Sequence, residues 1–242
     1  MCLVFIAYRL EPSAPVLIGA NREESRRRPT TSPVCCRSGS LRCLLAGADH
    51  GPDGTFPEMG TWLGVNEAGM AVAVTNRSDG ELAWEDQTRS RGLLAVAMLG
   101  CDRAAPAARY ACAELASGGF GGCNYLIAGR DAAYAVQAPG AGRVAVVELS
   151  PGIHAMTNLD IDDADDPRIR YVAAHLDPAS FPASAGRICR DDRIVIAGAD
   201  RGTISSSLVR IGADIVFQHI RGDPRGRDYE LFRLPDQLGP PD

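Results

Sequence analysis

The chain has 242 residues, 45% of them apolar and 23% charged, a balance able to bury a large core. Its net charge of −5 argues against a nucleic-acid partner, which leaves a basic footprint. No stretch approaches the ~18 consecutive apolar residues of a membrane span, and the apolar opening lacks a basic leader or a cleavage site, so a cytoplasmic protein is expected.

Residues 2–8 and 16–20 are apolar, β-branched stretches separated by Glu11-Pro12-Ser13-Ala14-Pro15, and they predict an antiparallel pair. Closing that hairpin brings the end of its second strand back to the start of its first. Asn21, Arg22, Glu23 and Glu24 are therefore expected beside Cys2. Residues 29–58, rich in Pro, Ser, Gly and Asp, predict weak strands near 34–36 and 43–46 and a long loop able to cover a site. Residues 60–76 read as a tight hairpin turning at Asn66-Glu67-Ala68-Gly69, with small residues at 71 and 73 pressed against another layer.

The Ala- and Leu-rich segments 91–99 and 103–116 predict two helices, the second capped by Asp102. Strands are expected at 123–128, 132–137, 143–149 and 153–157. Asp166-Pro167 opens a third helix reaching Leu176, with proline at its favoured first position. A Pro/Ser/Gly loop is expected over 177–187, followed by strands at 203–211, 215–220 and 228–234, the first two joined by a turn at Gly212-Ala213-Asp214. No repeat or composition break calls for a second domain, so one domain spanning 1–242 is expected. Two antiparallel sheets with helices packed outside would bury every apolar face.

Several standard motifs are absent: no phosphate-cradling loop, no His-Glu-x-x-His and no Cys-x-x-Cys. The eight cysteines, without a secretory signal, read as free thiols. Cys35, Cys36, Cys43 and His50 make a poor tetrahedral metal set because two of them are adjacent, and no metal is expected. The acidic run Asp160–Asp166 reads as a solvated loop leading into a helix cap. Arg22 with Arg26-Arg27-Arg28 is a local basic cluster, placed more naturally near an anionic substrate or on a solvated face.

Cys2 carries two readings. Unpaired cysteine is a small apolar side chain that readily starts a buried strand. Removal of Met1 would instead expose a thiol and an α-amine on one residue, and the amine's pKa of roughly 7.7–8.0 suits it to act as base for its own side chain. Arg22 would favour the thiolate, and Glu23 or Glu24 would hold the ammonium. Asn76 and Asn158, each ending an apolar strand, offer amides to a developing oxyanion, or simply turn the chain.

The initial Met-Cys strand, Asn-Arg-Glu-Glu at 21–24, Gly-Thr-Trp-Leu-Gly at 60–64 and Thr75-Asn76 resemble the NRDE family, that of the transport and Golgi organisation proteins. Looser matches are Gly121–Ala128, Ser150–Asn158 and the closing hairpin near 203–220. That family is similar to the N-terminal-nucleophile hydrolases of the penicillin acylase and bile salt hydrolase type. The resemblance implies an α+β, four-layer αββα sandwich of two antiparallel sheets flanked by helices. It implies a site of Cys2 (nucleophile and α-amine base), Arg22, Asn76 and Asn158, with Glu23 or Glu24 in the acidic place. Asn21 and Trp62 belong to the matched motifs and are candidates for binding or orienting a substrate. Glu23 stands where the family has Asp, and serines at 205–207 stand where the hydrolases have a late arginine.

The function implied is hydrolysis of a carbon–nitrogen amide bond in a small molecule after Met1 removal, without a cofactor. The alternative is a non-catalytic protein that binds or traffics a lipid or haem on the same fold, although no haem-ligation motif stands out.

Overall fold

The computed structural model describes residues 2–28, 31–47, 60–80, 88–140 and 142–234. Its first half contains β1 (Leu3–Tyr8), β2 (Val16–Ser25), β3 (Val34–Ser38), β4 (Leu41–Ala46), β5 (Leu63–Asn66), β6 (Met70–Asn76), α1 (Arg91–Met98) and α2 (Ala104–Ala116). Then follow β7 (Cys123–Gly129), β8 (Ala133–Gly140), β9 (Arg143–Glu148), β10 (Gly152–Met156), α3 (Pro167–His175), α4 (Ala183–Arg190), β11 (Arg201–Ile211), β12 (Ile215–Arg221) and β13 (Glu230–Phe232).

The strands form two sheets, ordered β10-β1-β2-β11-β12-β13 and β3-β4-β5-β6-β7-β8-β9, and every pairing is antiparallel. α3 and α4 cover the outer face of the first sheet, α1 and α2 that of the second. The result is the αββα sandwich expected from the sequence.

Alternation along β1 shows how the layers are filled. Val4, Ile6 and Tyr8 point between the sheets, into the core shared with Ala73, Leu126 and Val209. Leu3, Phe5 and Ala7 point the other way, against Ile169, Val172 and Ile188 of the helical layer. Phe5 faces its cross-strand partner Gly19, and a Cβ at that position would lie 2.1 Å from the phenyl Cζ. The ring therefore occupies the space a side chain would need.

The β5–β6 turn uses Gly69 with φ +81°, a conformation glycine adopts without steric cost. Asn66 ties this turn to the helices. Its amide nitrogen donates to the carbonyls of Leu99 (2.9 Å) and Cys101 (2.7 Å), and its Oδ1 accepts from Met70 N–H (2.9 Å). Those carbonyls lie where α1 ends, so the side chain supplies partners that the helix cannot.

Three expectations need correcting. β2 does not stop at residue 20 but continues through Ser25, because Asn21, Arg22 and Glu23 are buried and find partners in the fold. Residues 177–187 are not one loop, since α4 begins at Ala183. Its Ser184, Ala185, Gly186 and Ile188 are buried against the first sheet, so packing overrides a poor helical composition. Asp102 does not cap α2; the cap position is Arg103, which makes no side-chain cap bond.

Asp166 does cap α3, accepting from Arg168 N–H at 2.8 Å. Cys35, Cys36 and Cys43 lie on the β3–β4 hairpin, whereas His50 and the loop from 48 to 59 lie outside the described residues. Among the described residues no cluster of three metal-ligating side chains occurs, and no helix is long and apolar enough to cross a membrane.

Candidate active site at the start of the first strand

β1 lies between β2 and β10. Leu3 pairs with Asn21 on one side, and Val4 pairs with Met156 on the other. Continuing both registers to residue 2 sets Cys2 opposite Arg22 and opposite Asn158. Alternation turns the side chains of all three toward the space between the sheets.

Cys2 is half-buried, Arg22 and Glu23 are buried, and Asn158 is 7% exposed. Glu23, next in the strand, faces the helical layer. There its carboxylate accepts a hydrogen bond from the backbone N–H of Leu3 and another from Thr203 Oγ1 at 3.2 Å, and it faces the charge of Arg168. The carboxylate thus sits one peptide unit from the backbone nitrogen of Cys2.

Burial and the Glu23 charge push the Cys2 thiol up to about 11, although the N-terminal ammonium, the Glu23 backbone N–H and the Arg22 charge favour the thiolate. Burial likewise pushes Glu23 up to about 8, against the pull of the N-terminal ammonium, Arg168, Thr203 and the Leu3 N–H. In the chain with Met1 attached, the resting group near neutral pH is therefore a thiol.

The two asparagines meet, but unequally. Asn158 donates from its amide nitrogen to the backbone carbonyl of Asn76 at 2.5 Å, and its Oδ1 is buried without a partner. The Asn76 side chain is exposed, so Asn76 enters the site through its carbonyl, not through the amide that sequence reasoning singled out. This bond joins the end of β6 to the segment after β10, and so joins the two sheets.

The remaining sequence candidates separate. Glu24 is held at the outer end of β2 by Ser25 N–H (2.6 Å), Arg28 (3.3 Å) and Arg201 (3.4 Å), so Glu23 is the acid at Cys2. Asn21 faces away from the inter-sheet space and donates to the carbonyl of Cys189 at 2.9 Å, fastening α4 to β2. Trp62 is 6% exposed within the apolar core, its carbonyl accepting from Val74 N–H, while its indole N–H is buried without a partner.

The structure adds residues that sequence reasoning missed. Arg22, Ser205 and Arg221 are neighbours in one row across β2, β11 and β12, and Ala20, Ser207 and His219 form the next row inward. Ser207 Oγ lies 2.9 Å from His219 Nδ1, while Ser205 Oγ and His219 Nε2 are buried without partners. The available signal was the run Ser205-Ser206-Ser207 in a buried strand, which puts the first and third hydroxyls on one face.

Burial, with the Arg22 charge adding to it, pushes His219 down to about 4. The unfolded chain takes up this proton near pH 6.5 and the folded chain only near 4, so protonation favours unfolding between them. The stability supplied by the neutral imidazole is full above pH 6.5 and lost as pH falls toward 4. Urea denaturation across that window should show wild type losing about 3 kcal/mol more than His219→Gln. Equal losses in the two proteins would remove His219 as the cause.

A family model described as Transport and Golgi organisation 2 matches residues 1–179, nearly three-quarters of the chain. The chain belongs to this family. Within the Transport and Golgi organisation 2 family, it is 32% identical over 108 residues to the human Transport and Golgi organization protein 2 homolog. That match covers 42% of this chain and 36% of the human protein's length.

Solved structures show the fold more widely. The conjugated bile acid hydrolase of Clostridium perfringens, solved as the C2A mutant, superposes with TM-score 0.53 at 10% identity, covering 100% of this chain and 99% of that one. Penicillin V acylase of Agrobacterium tumefaciens gives 0.56 at 12%, covering 91% and 83%. The Caenorhabditis elegans ortholog of N-acylethanolamine-hydrolyzing acid amidase gives 0.58 at 12%, covering 86% and 92%. This family member therefore has the fold of the N-terminal-nucleophile hydrolases.

Proposed function

We propose that the protein, once Met1 is removed, is an N-terminal cysteine hydrolase acting on a carbon–nitrogen amide bond of a small molecule. The observation that carries this reading is the buried Glu23 carboxylate, held on the Leu3 N–H beside the position a freed Cys2 α-amine would take. A raised thiol pKa makes a nearby base necessary, and the α-amine is that base. The three solved structures of similar fold, a hydrolase, an acylase and an ortholog of an acid amidase by name, support the same chemistry on this fold.

The steps balance without a cofactor. The Cys2 thiol gives its proton to its own α-amine, and the thiolate attacks the amide carbonyl carbon. Negative charge moves onto the carbonyl oxygen, where Asn158 can donate the amide N–H that Asn76 does not engage. Collapse breaks the C–N bond, and the ammonium proton leaves with the amine. Water then attacks the thioester, gives a proton to the α-amine and releases the acid, and that proton returns to sulfur. Glu23 stabilises the ammonium at each stage, and Arg22 the thiolate.

Incubation of the processed protein with an electrophilic β-lactam probe should give one covalent adduct by intact mass, mapped to Cys2. Labelling of Cys2 no faster than the other seven cysteines would sink the reading and leave a binding protein on the same fold.

A further inference from the structure

The row Arg22–Ser205–Arg221 has properties that amide hydrolysis alone does not require. Antiparallel partners share a face, and the next row inward carries Ala20, part of the core between the sheets. The three side chains therefore line the inner face of the first sheet, directly beside Cys2. Ser205 is fully buried and its hydroxyl has no partner, and His219 Nε2 in the row behind is in the same position. Polar atoms buried unpaired cost about 1–3 kcal/mol each, which points to a ligand that satisfies them.

The charges around this row indicate the ligand's chemistry. Arg22 is buried, whereas Arg221 is exposed at the end of β12 and makes no hydrogen bond or ion pair among the described residues. Acids near this end are already engaged: Glu24 by Arg28 and Arg201, and Asp223 by Arg225. Guanidinium groups on the strands either side of a hydroxyl supply the kind of donors that carboxylate and phosphate oxygens accept.

We propose that Arg22, Ser205 and Arg221 bind an oxyanion, carboxylate or phosphate, carried by the substrate, with Ser207 and His219 as the uncharged floor behind it. Placing the oxyanion on an amide substrate rests on the hydrolase reading above; the binding site itself does not. The substrate is then an acidic amide whose charged group lies on the β11 side of the reacting carbonyl.

The test compares alkylation of Cys2 by iodoacetate, which carries a carboxylate, and by neutral iodoacetamide. Exposed Cys35 in the same molecule serves as the internal reference. The iodoacetate-to-iodoacetamide rate ratio at Cys2 should exceed that at Cys35 by at least ~10-fold, and Arg221→Gln and Ser205→Ala should each bring it close to the Cys35 value. Protection of Cys2 from iodoacetate by acetate assigns a carboxylate, and protection by inorganic phosphate assigns a phosphate. A wild-type ratio equal to that of Cys35, with protection by neither anion, overturns the proposal.

If Cys2 resists both reagents, the hydrolase reading fails on its own. Calorimetric titration of acetate and inorganic phosphate into wild type and Arg221→Gln then decides the anion site. Binding lost in the variant supports it, and absence of binding in wild type overturns it.

Discussion

Protein that retains Met1 is expected to be alkylated at Cys2 by iodoacetamide at least about 100-fold more slowly at pH 7 than processed protein. With Met1 attached, burial and Glu23 push the thiol up to about 11, so very little of it is thiolate at that pH. Processing changes the local charges. It moves the basic amine from residue 1 to residue 2, whose backbone nitrogen lies one peptide unit from the buried Glu23 carboxyl, so the ammonium formed by proton transfer has its counter-charge beside it. The thiolate is left facing Arg22. An N-terminal tag left in place supplies the unprocessed form, and Cys35 reports any general change in reagent access. Equal rates in the two forms would mean that the α-amine does not activate the thiol, and Cys2→Ala should abolish the modification at this position altogether.

The second large effect is expected at Gly19. In Gly19→Ala the new methyl would meet the Phe5 ring at 2.1 Å, and Phe5 is completely buried between β1 and the helical layer. Neither the ring nor the central strand can shift without disturbing the pairing that holds Cys2 between Arg22 and Asn158. A loss of about 3 kcal/mol is expected for Gly19→Ala, and about 3–5 kcal/mol for Phe5→Ala, which leaves a cavity. The two changes occupy the same space, so the double variant should be more stable than the sum of the singles predicts by about 2 kcal/mol. Urea denaturation of the four proteins measures this coupling; additive losses would show that the ring does not depend on an empty position 19.

The parts of the fold legible in the sequence are those set by local chemistry. The β1–β2 hairpin follows from two β-branched stretches around a Pro-rich turn, and α3 from Asp166-Pro167 at its start. Closing that hairpin was enough to bring Arg22 and Glu23 to Cys2. The rest depended on partners far along the chain. Nothing between residues 21 and 25 announces a strand. It forms because Thr203, Arg168 and the Cys189 carbonyl, all more than 140 residues away, receive its polar side chains. α4 carries Ser184 and Gly186 just after Pro182, a composition that reads as loop until the first sheet is present to pack against. Arg221 and His219 were missed, and the serines at 205–207 given no role, for the same reason: ordinary polar residues fall into two adjacent rows only through the β2–β11–β12 register.

The asparagines divide on the same principle. Both end apolar strands and look equivalent in sequence, yet only Asn158 turns its amide inward, because its segment follows β10 beside β1. Asn76 ends β6 in the opposite sheet and contributes a carbonyl instead.

Adjacent strand residues lie on opposite faces, and Arg22 and Glu23 use this to deliver a cation to one side of Cys2 and a carboxylate to the other. The arrangement is consequently intolerant of changes in chain length. One residue deleted between Val16 and Arg22 would set the acid opposite the sulfur, and one inserted would set Asn21 there and turn the arginine to the helical side. The same change in the turn at residues 9–15 would leave both in place. Length variation among homologous chains should therefore collect in that turn and be absent from the strand that follows it.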